Sequence, residues 1–183
     1  MVDENILSQA IEMNSWIPNA HIKFPTTVEG LKAAEKAAKM GIKVNMTLVF
    51  SQEQAAAVYA ATKHEGADVF VSPFVGRLDD QGKNGMDLIR NILKMYESSD
   101  HHVAVLTASV RNLNHFLKAL ALGSNIITAP FKVLKEWADI THLKDIHYKE
   151  LDLNQDWKKF DIKHELTDKG IEKFASDWNA LIK

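Results

Sequence analysis

The chain has 183 residues, 46% of them hydrophobic and 25% charged, which is the make-up of an ordinary globular protein with enough chain for one sizeable core. Its formal net charge of -2 and pI near 6.4 give no electrostatic basis for binding nucleic acid or an anionic membrane. The absence of cysteine excludes disulfides, thiolate metal sites and cysteine nucleophiles together. The amino terminus, Met1-Val2-Asp3-Glu4-Asn5, lacks the basic and apolar regions of a signal peptide, and no apolar run approaches the ~20 residues of a membrane span. A cytoplasmic protein of one domain, residues 1–183, is expected.

From about Asn5 to Trp16, Ile6, Ala10 and Met13, followed by Ile17, have the spacing of a short amphipathic helix. The next stretch, Ile22-Lys23-Phe24-Pro25-Thr26-Thr27, sets a single cation between apolar residues before a proline and two threonines stop the strand and open a helix. Lys23 is thus expected near the carboxyl end of a strand, where chemistry collects in parallel α/β proteins. A lysine amine partly desolvated by apolar neighbours is a nucleophile toward a carbonyl carbon and can form a Schiff base. Taken alone, the more ordinary reading is a strand lysine that snorkels to water. Thr26 with Glu29 has the form of a capping box, and the helix that follows runs to Met40 and stops at Gly41.

The second strand, Ile42 to Phe50, alternates: Val44, Met46, Leu48 and Phe50 fall on one face, Lys43, Asn45 and Thr47 on the other. Parallel strands buried on both faces read as continuous apolar runs, so Asn45 and Thr47 imply a polar use for that face. Ser51 caps an alanine-rich helix to about His64, ended by Gly66. A third strand, Asp68 to Ser72, runs into Pro73-Phe74-Val75-Gly76-Arg77 and an acidic, glycine-bearing loop, Asp79 to Gly85, which has the signature of a binding loop. A helix is expected from Met86 to about Tyr96, then a fourth strand from Val103 to Ser109 with Arg111 just beyond. A helix from Asn112 to Leu122, a short strand from Asn125 to Thr128 and a helix start at Phe131 to Trp137 follow.

Ile140 to Phe160 has no clear period and reads as irregular, whereas Leu166, Ile171, Phe174, Ala175, Trp178 and Leu181 predict a terminal helix over Glu165 to Ile182. Lys23, Thr47 and Ser72 lie 24 and 25 residues apart, all at strand ends. Such a period marks a (β/α) barrel or a doubly wound sheet. His21, His64, His115 and the His142/His147 pair lack zinc-site spacing, so no metal is expected.

In their order and spacing, Ile22-Lys23-Phe24-Pro25, Val44 to Ser51, Ser72 to Asp80 and Ala108-Ser109-Val110-Arg111 resemble the transaldolase family. The likeness extends from about residue 19 to the carboxyl terminus and includes His164-Glu165-Leu166-Thr167-Asp168-Lys169-Gly170. It implies a class I aldolase on a (β/α)8 (TIM) barrel, acting without a cofactor on sugar phosphates of the fructose 6-phosphate and erythrose 4-phosphate type in the pentose phosphate pathway. A lysine on the fourth barrel strand would form a Schiff base, and a dihydroxyacetone unit would pass from ketose to aldose. Lys23 matches that lysine. Asn45 and Thr47 match fifth-strand polar residues, the threonine like one that orients the catalytic water, and Ser72 matches a sixth-strand serine at the substrate hydroxyls. Arg77 with Ser109 and Arg111 resembles the group that holds the sugar phosphate, in keeping with the bidentate fit of guanidinium to phosphate. Without the resemblance, Arg77 could instead pair with Asp79 and Asp80 at the surface, and Thr47 could be a plain β-former.

Only 22 residues precede Lys23, room for one helix and not for three barrel strands. The aspartate, asparagine and acid/base glutamate that the family carries on those strands have no counterpart, and Phe74 stands where the sister fructose-6-phosphate aldolases use a tyrosine. Loss of a general acid/base typically costs 10²–10⁴-fold. The expectation is therefore α/β: a partial barrel of about five parallel strands plus a carboxyl-terminal helix, impaired as a transaldolase on its own. Its open side predicts self-association or a complementing amino-terminal barrel fragment. The competing readings are a non-catalytic half-barrel and an aldolase of other specificity that uses water or His21 for proton transfer.

Overall fold

The computed structural model describes residues 2–64, 66, 68–138 and 150–181. Helix α1 (Val2–Asn14) precedes strand β1 (Ile22–Pro25), after which strands and helices alternate: α2 (Val28–Lys39), β2 (Val44–Val49), α3 (Gln52–Thr62), β3 (Val69–Pro73), α4 (Val75–Asp79), α5 (Gly85–Tyr96), β4 (Val103–Thr107), α6 (Leu113–Ala121), β5 (Ile126–Ile127) and α7 (Phe131–Trp137). A 3-10 turn (Trp157–Lys159) and the long helix α8 (Glu165–Leu181) complete the described chain. The segment 139–149, which includes the His142/His147 pair, lies outside the described residues.

The five strands form one parallel sheet in the order β1-β2-β3-β4-β5. A doubly wound sheet reverses its strand order at a switch point, whereas consecutive units of a (β/α) barrel do not. The unbroken order therefore decides between the two architectures that the strand period left open, and the fold is α/β, a partial barrel. The register aligns Lys23 with Asn45, Pro25 with Thr47, Asn45 with Phe70, and Phe70 with Ala104. Successive side chains in a strand point to opposite faces. Lys23, Asn45, Thr47, Phe70 and Ser72 thus share one face, and Ile22, Phe24, Val44, Met46, Val69, Val71, Val103 and Val105 share the other. The second set is buried in a single core with the apolar sides of α2, α3 and α5, including Leu31, Ala34, Val58, Ile89 and Ile92.

Three local features differ from the sequence reading, the first two because a distant partner intervenes. Thr27, not Thr26, caps α2, accepting from Gly30 N at 3.1 Å. Thr26 is taken by β2: its backbone N and its hydroxyl both donate to Thr47 O, at 3.0 and 2.8 Å. Residues 75–79 form the short helix α4, an element not expected between the third strand and the Asp79–Gly85 loop. Its first amide groups, which no helical carbonyl can reach, donate instead to the end of the neighbouring chain segment: Val75 N to Ala108 O and Gly76 N to Ser109 O, both 3.1 Å. Finally, the pairing of β2 with β3 shifts between Met46 and Val49, where Leu48 takes a left-handed φ of +61°.

Candidate active site

Lys23, Asn45, Thr47 and Ser72 are brought together on the polar face of β1, β2 and β3. Ser72, 1% exposed, donates its hydroxyl to Asn45 Oδ1 at 2.7 Å, which orients the buried amide and leaves its nitrogen as the donor side. Thr47, one pleat further along, is 4% exposed and its hydroxyl oxygen finds no hydrogen-bond partner among the described residues. A buried polar atom left unsatisfied by the fold is uncommon, and a plain β-former does not account for it. Lys23 differs from expectation in being exposed rather than partly desolvated. The reason is topological: among the described residues β1 is the edge of the sheet, with β2 as its one neighbour and no strand to shield the lysine on the other flank. His21, by contrast, is engaged at the amino-terminal end of the strands, stacked on Phe70 (4.0 Å between ring centres) and 3.2 Å from Asp68 Oδ1.

The three residues expected at a phosphate also converge. Gly76 allows this: a Cβ there would lie 2.4 Å from Ser109 O and 2.7 Å from Arg111 Nε, so α4 can lie directly against the Ser109–Arg111 turn, where Ser109 has φ +58°. Arg77 does not pair with the aspartates that follow it. Its guanidinium lies over the rings of Phe74 (5.2 Å) and Phe174 (5.6 Å), while Asp80 takes Arg111 Nη1 at 2.6 Å and Asp79 takes His115. Burial pushes the Arg77 guanidinium below its ordinary value, the nearby charge of Arg111 adds to this, and Asp80 opposes it. The group remains a cation at neutral pH.

The sequence model of the Transaldolase/Fructose-6-phosphate aldolase family matches residues 3–183. The chain is 39% identical over 180 residues to a probable transaldolase of Alkaliphilus metalliredigens, an alignment that covers 98% of this chain and 71% of that protein. It is likewise 40% identical over 182 residues to a probable transaldolase of Thermodesulfovibrio yellowstonii (98% and 71%) and 38% over 177 residues to one of a Roseiflexus species (97% and 68%). The chain belongs to the transaldolase/fructose-6-phosphate aldolase family.

Within this transaldolase-family chain, α8 crosses the carboxyl ends of the strands and supplies contacts that the motifs did not announce. Thr167 donates its hydroxyl to Leu48 O at 3.0 Å, satisfying the carbonyl of the residue with positive φ immediately after Thr47. Gln54, fully buried, accepts from Phe50 N (2.7 Å) and Ser51 N (3.1 Å) and donates to Thr167 Oγ1 (3.1 Å) and Ile162 O (3.0 Å). Gly170 sits so close that a Cβ would be 2.5 Å from Leu48 Cδ2 and 2.6 Å from Arg77 Nη1. One helix therefore holds both the strand that carries Thr47 and the arginine that faces Arg111. The Ser51-x-x-Gln54 capping box is visible in the sequence, but its tie to Thr167 is not. No helix among the described residues is long and apolar enough to cross a membrane.

Proposed function

We propose that the chain acts as a transaldolase-type class I aldolase in which Lys23 forms the Schiff base. The Lys23 amine adds to the carbonyl carbon of a ketose phosphate and water leaves, giving an iminium; the next carbon's bond to the hydroxyl-bearing carbon beyond it then breaks, its electron pair moving into the iminium to give an enamine while that hydroxyl gives its proton to water and becomes the aldose carbonyl. The aldose departs, and the enamine that remains carries a dihydroxyacetone unit to the carbonyl of a second aldose phosphate. Hydrolysis of the resulting iminium frees the lysine. Asn45 and Ser72 bind substrate hydroxyls, Thr47 orients the water of the hydration steps, and Arg77, Ser109 and Arg111 hold the phosphate. The observation that carries this reading is the register of β1, β2 and β3, which sets Lys23 beside Asn45 and in line with Thr47, whereas Lys43, on the same side of β2, pairs with Asp68 at the other end of the strands.

Borohydride reduction in the presence of fructose 6-phosphate tests it. Peptide mapping is expected to find the adduct on Lys23 alone, and both Lys23→Ala and Lys23→Arg to abolish it, since guanidinium is not nucleophilic at neutral pH. Adducts spread over several lysines, or persisting in Lys23→Ala, would remove the proposal.

A second reading, favoured by the exposure of Lys23 at the edge of the sheet, is that these five strands are a half-barrel that works only when further βα units pair with β1. Those units would bring the acid/base group that this face lacks, from the same or another polypeptide. Sugar phosphates are the substrates under either reading, with the pentose phosphate pathway as the setting.

A further inference from the structure

Asp79 and His115 form a contact that the proposed reaction does not use. His115 is 4% exposed, and its Nε2 donates to Asp79 Oδ2. Its other ring nitrogen, Nδ1, accepts the backbone N–H of Arg111 at 3.4 Å, so the hydrogen-bond network assigns the tautomer with the proton on Nε2. Both partners are themselves anchored. Asp79 Oδ1 accepts from Gly85 N at 2.8 Å, fixing the start of α5, and His115 N donates to Asn112 Oδ1 at 2.9 Å, the cap of α6. The pair thus bridges the loop after α4 to the turn that carries Arg111, and the next residue, Asp80, holds the Arg111 guanidinium itself.

The Asp79 carboxylate is itself 38% exposed, so its attraction to the buried imidazole is screened by water and is a weak source of stability. Position is the better account. The Arg111 side chain lies against Gly76 of α4, where a Cβ would meet its Nε at 2.7 Å, yet it is 48% exposed, so its direction depends on how its backbone is held. We propose that the Asp79–His115 pair is a positioning element that holds the backbone of Arg111 beside α4 and thereby sets the preference of the site for phosphorylated ketoses. His115 is a positioning residue in this scheme; it touches no substrate. The inference rests on the reading of Arg77, Ser109 and Arg111 as the phosphate site.

The test compares the full chain with His115→Ala, His115→Gln, Asp79→Asn and Arg111→Ala. Calorimetry measures affinity for inorganic phosphate and fructose 6-phosphate, and borohydride trapping gives the ratio of reaction with fructose 6-phosphate to reaction with dihydroxyacetone. His115→Ala, Asp79→Asn and Arg111→Ala are each expected to lower affinity and ratio by about tenfold, the order of one charge-assisted hydrogen bond. His115→Gln, which keeps a donor toward Asp79, is expected to recover most of the loss, and combining Asp79→Asn with His115→Ala to add little. If Arg111→Ala lowers the ratio while Asp79→Asn and His115→Ala leave it as it was, the positioning role is overturned and the phosphate site stands. If Arg111→Ala changes nothing, or the unmodified chain has no measurable affinity for either anion, the phosphate reading falls and takes this inference with it. An equal loss toward both ketones without rescue by His115→Gln overturns the inference in favour of a purely structural pair. Should His115→Ala fail to fold, Asp79→Asn and His115→Gln decide by the same criteria.

Discussion

A buried hydroxyl without a partner costs a fold on the order of 1–3 kcal/mol, and Thr47 Oγ1 is in that position between an exposed lysine and a buried Asn45–Ser72 pair. The two roles open to Thr47 make opposite forecasts for Thr47→Val, which exchanges the hydroxyl for a methyl at nearly constant shape. If the residue is there for the fold, the valine should cost stability. If it is there to hold a reacting water, the valine removes an unsatisfied group, so the melting temperature should hold or rise while Schiff-base formation with dihydroxyacetone slows about 10²-fold, the low end for loss of a group that assists proton transfer. Thermal melts and timed borohydride trapping on the same protein separate the two. A clear drop in melting temperature with an unchanged trapping rate would assign Thr47 to the sheet alone.

At the scale of elements, α8 depends on contacts that span the whole chain: Gln54 and Thr167 are 113 residues apart, and Thr167 and Leu48 119. His164, just ahead of the helix, stacks on Phe50 with 5.0 Å between ring centres and accepts from Leu166 N at 3.2 Å. Burial pushes the His164 imidazole below its ordinary value of 6.5, the charge of Lys83 adds to this, and Glu165, Asp161 and Asp168 oppose it. A histidine held neutral in the folded state binds fewer protons than it does when unfolded, so stability falls as pH drops through about 6.5 and levels off below the lowered native value. The docking of α8 should accordingly loosen between neutral and mildly acid pH, and His164→Gln, which cannot titrate, should flatten that part of the melting-temperature profile. A profile as steep in the variant would place the titration elsewhere.

These same contacts explain what could and could not be read in advance. The start of β2, with Val44 and Met46 opposite Asn45, and the position of Lys23 before Pro25 are local and stand in the fold as in the sequence, whereas the alternation expected to continue to Phe50 is broken at Leu48. The choice of Thr27 over Thr26 as a cap depended on a carbonyl of β2, and α4 depended on carbonyls of residues 108 and 109, so neither had a local signal. The convergence of Arg77 on Arg111 was legible only through the resemblance. Asp79, Gly170 and Phe174 fell within stretches the sequence singled out, but their contacts, like those of His115, had no local signal, because each acts through a partner on another element.

For the molecule as a whole, the decisive feature is that a five-stranded parallel sheet has two edges where a closed eight-stranded barrel has none. Both edges are partly blunted: β5 has two residues, and Pro25 withholds one donor from β1. The stronger drive to associate is apolar surface. Phe70, Ala104 and Ile126 are only half-buried on the face that a barrel would enclose, and Trp16, Ile17, Phe131, Trp137 and Trp178 are exposed elsewhere. Helix α1 packs on α2 and β1 without closing that face. The 183-residue chain by itself should therefore run larger than its 20.6 kDa in sizing at micromolar concentration, or aggregate. Co-expression with a fragment carrying the first three βα units of a longer relative should give a stable complex, bury Lys23 at its new strand neighbour and raise transaldolase activity by the 10²–10⁴-fold that an acid/base group supplies. A monomer of 20.6 kDa that melts cooperatively and gains nothing from the fragment would defeat the half-barrel reading, and proton transfer would then have to be sought on the strands already in the sheet.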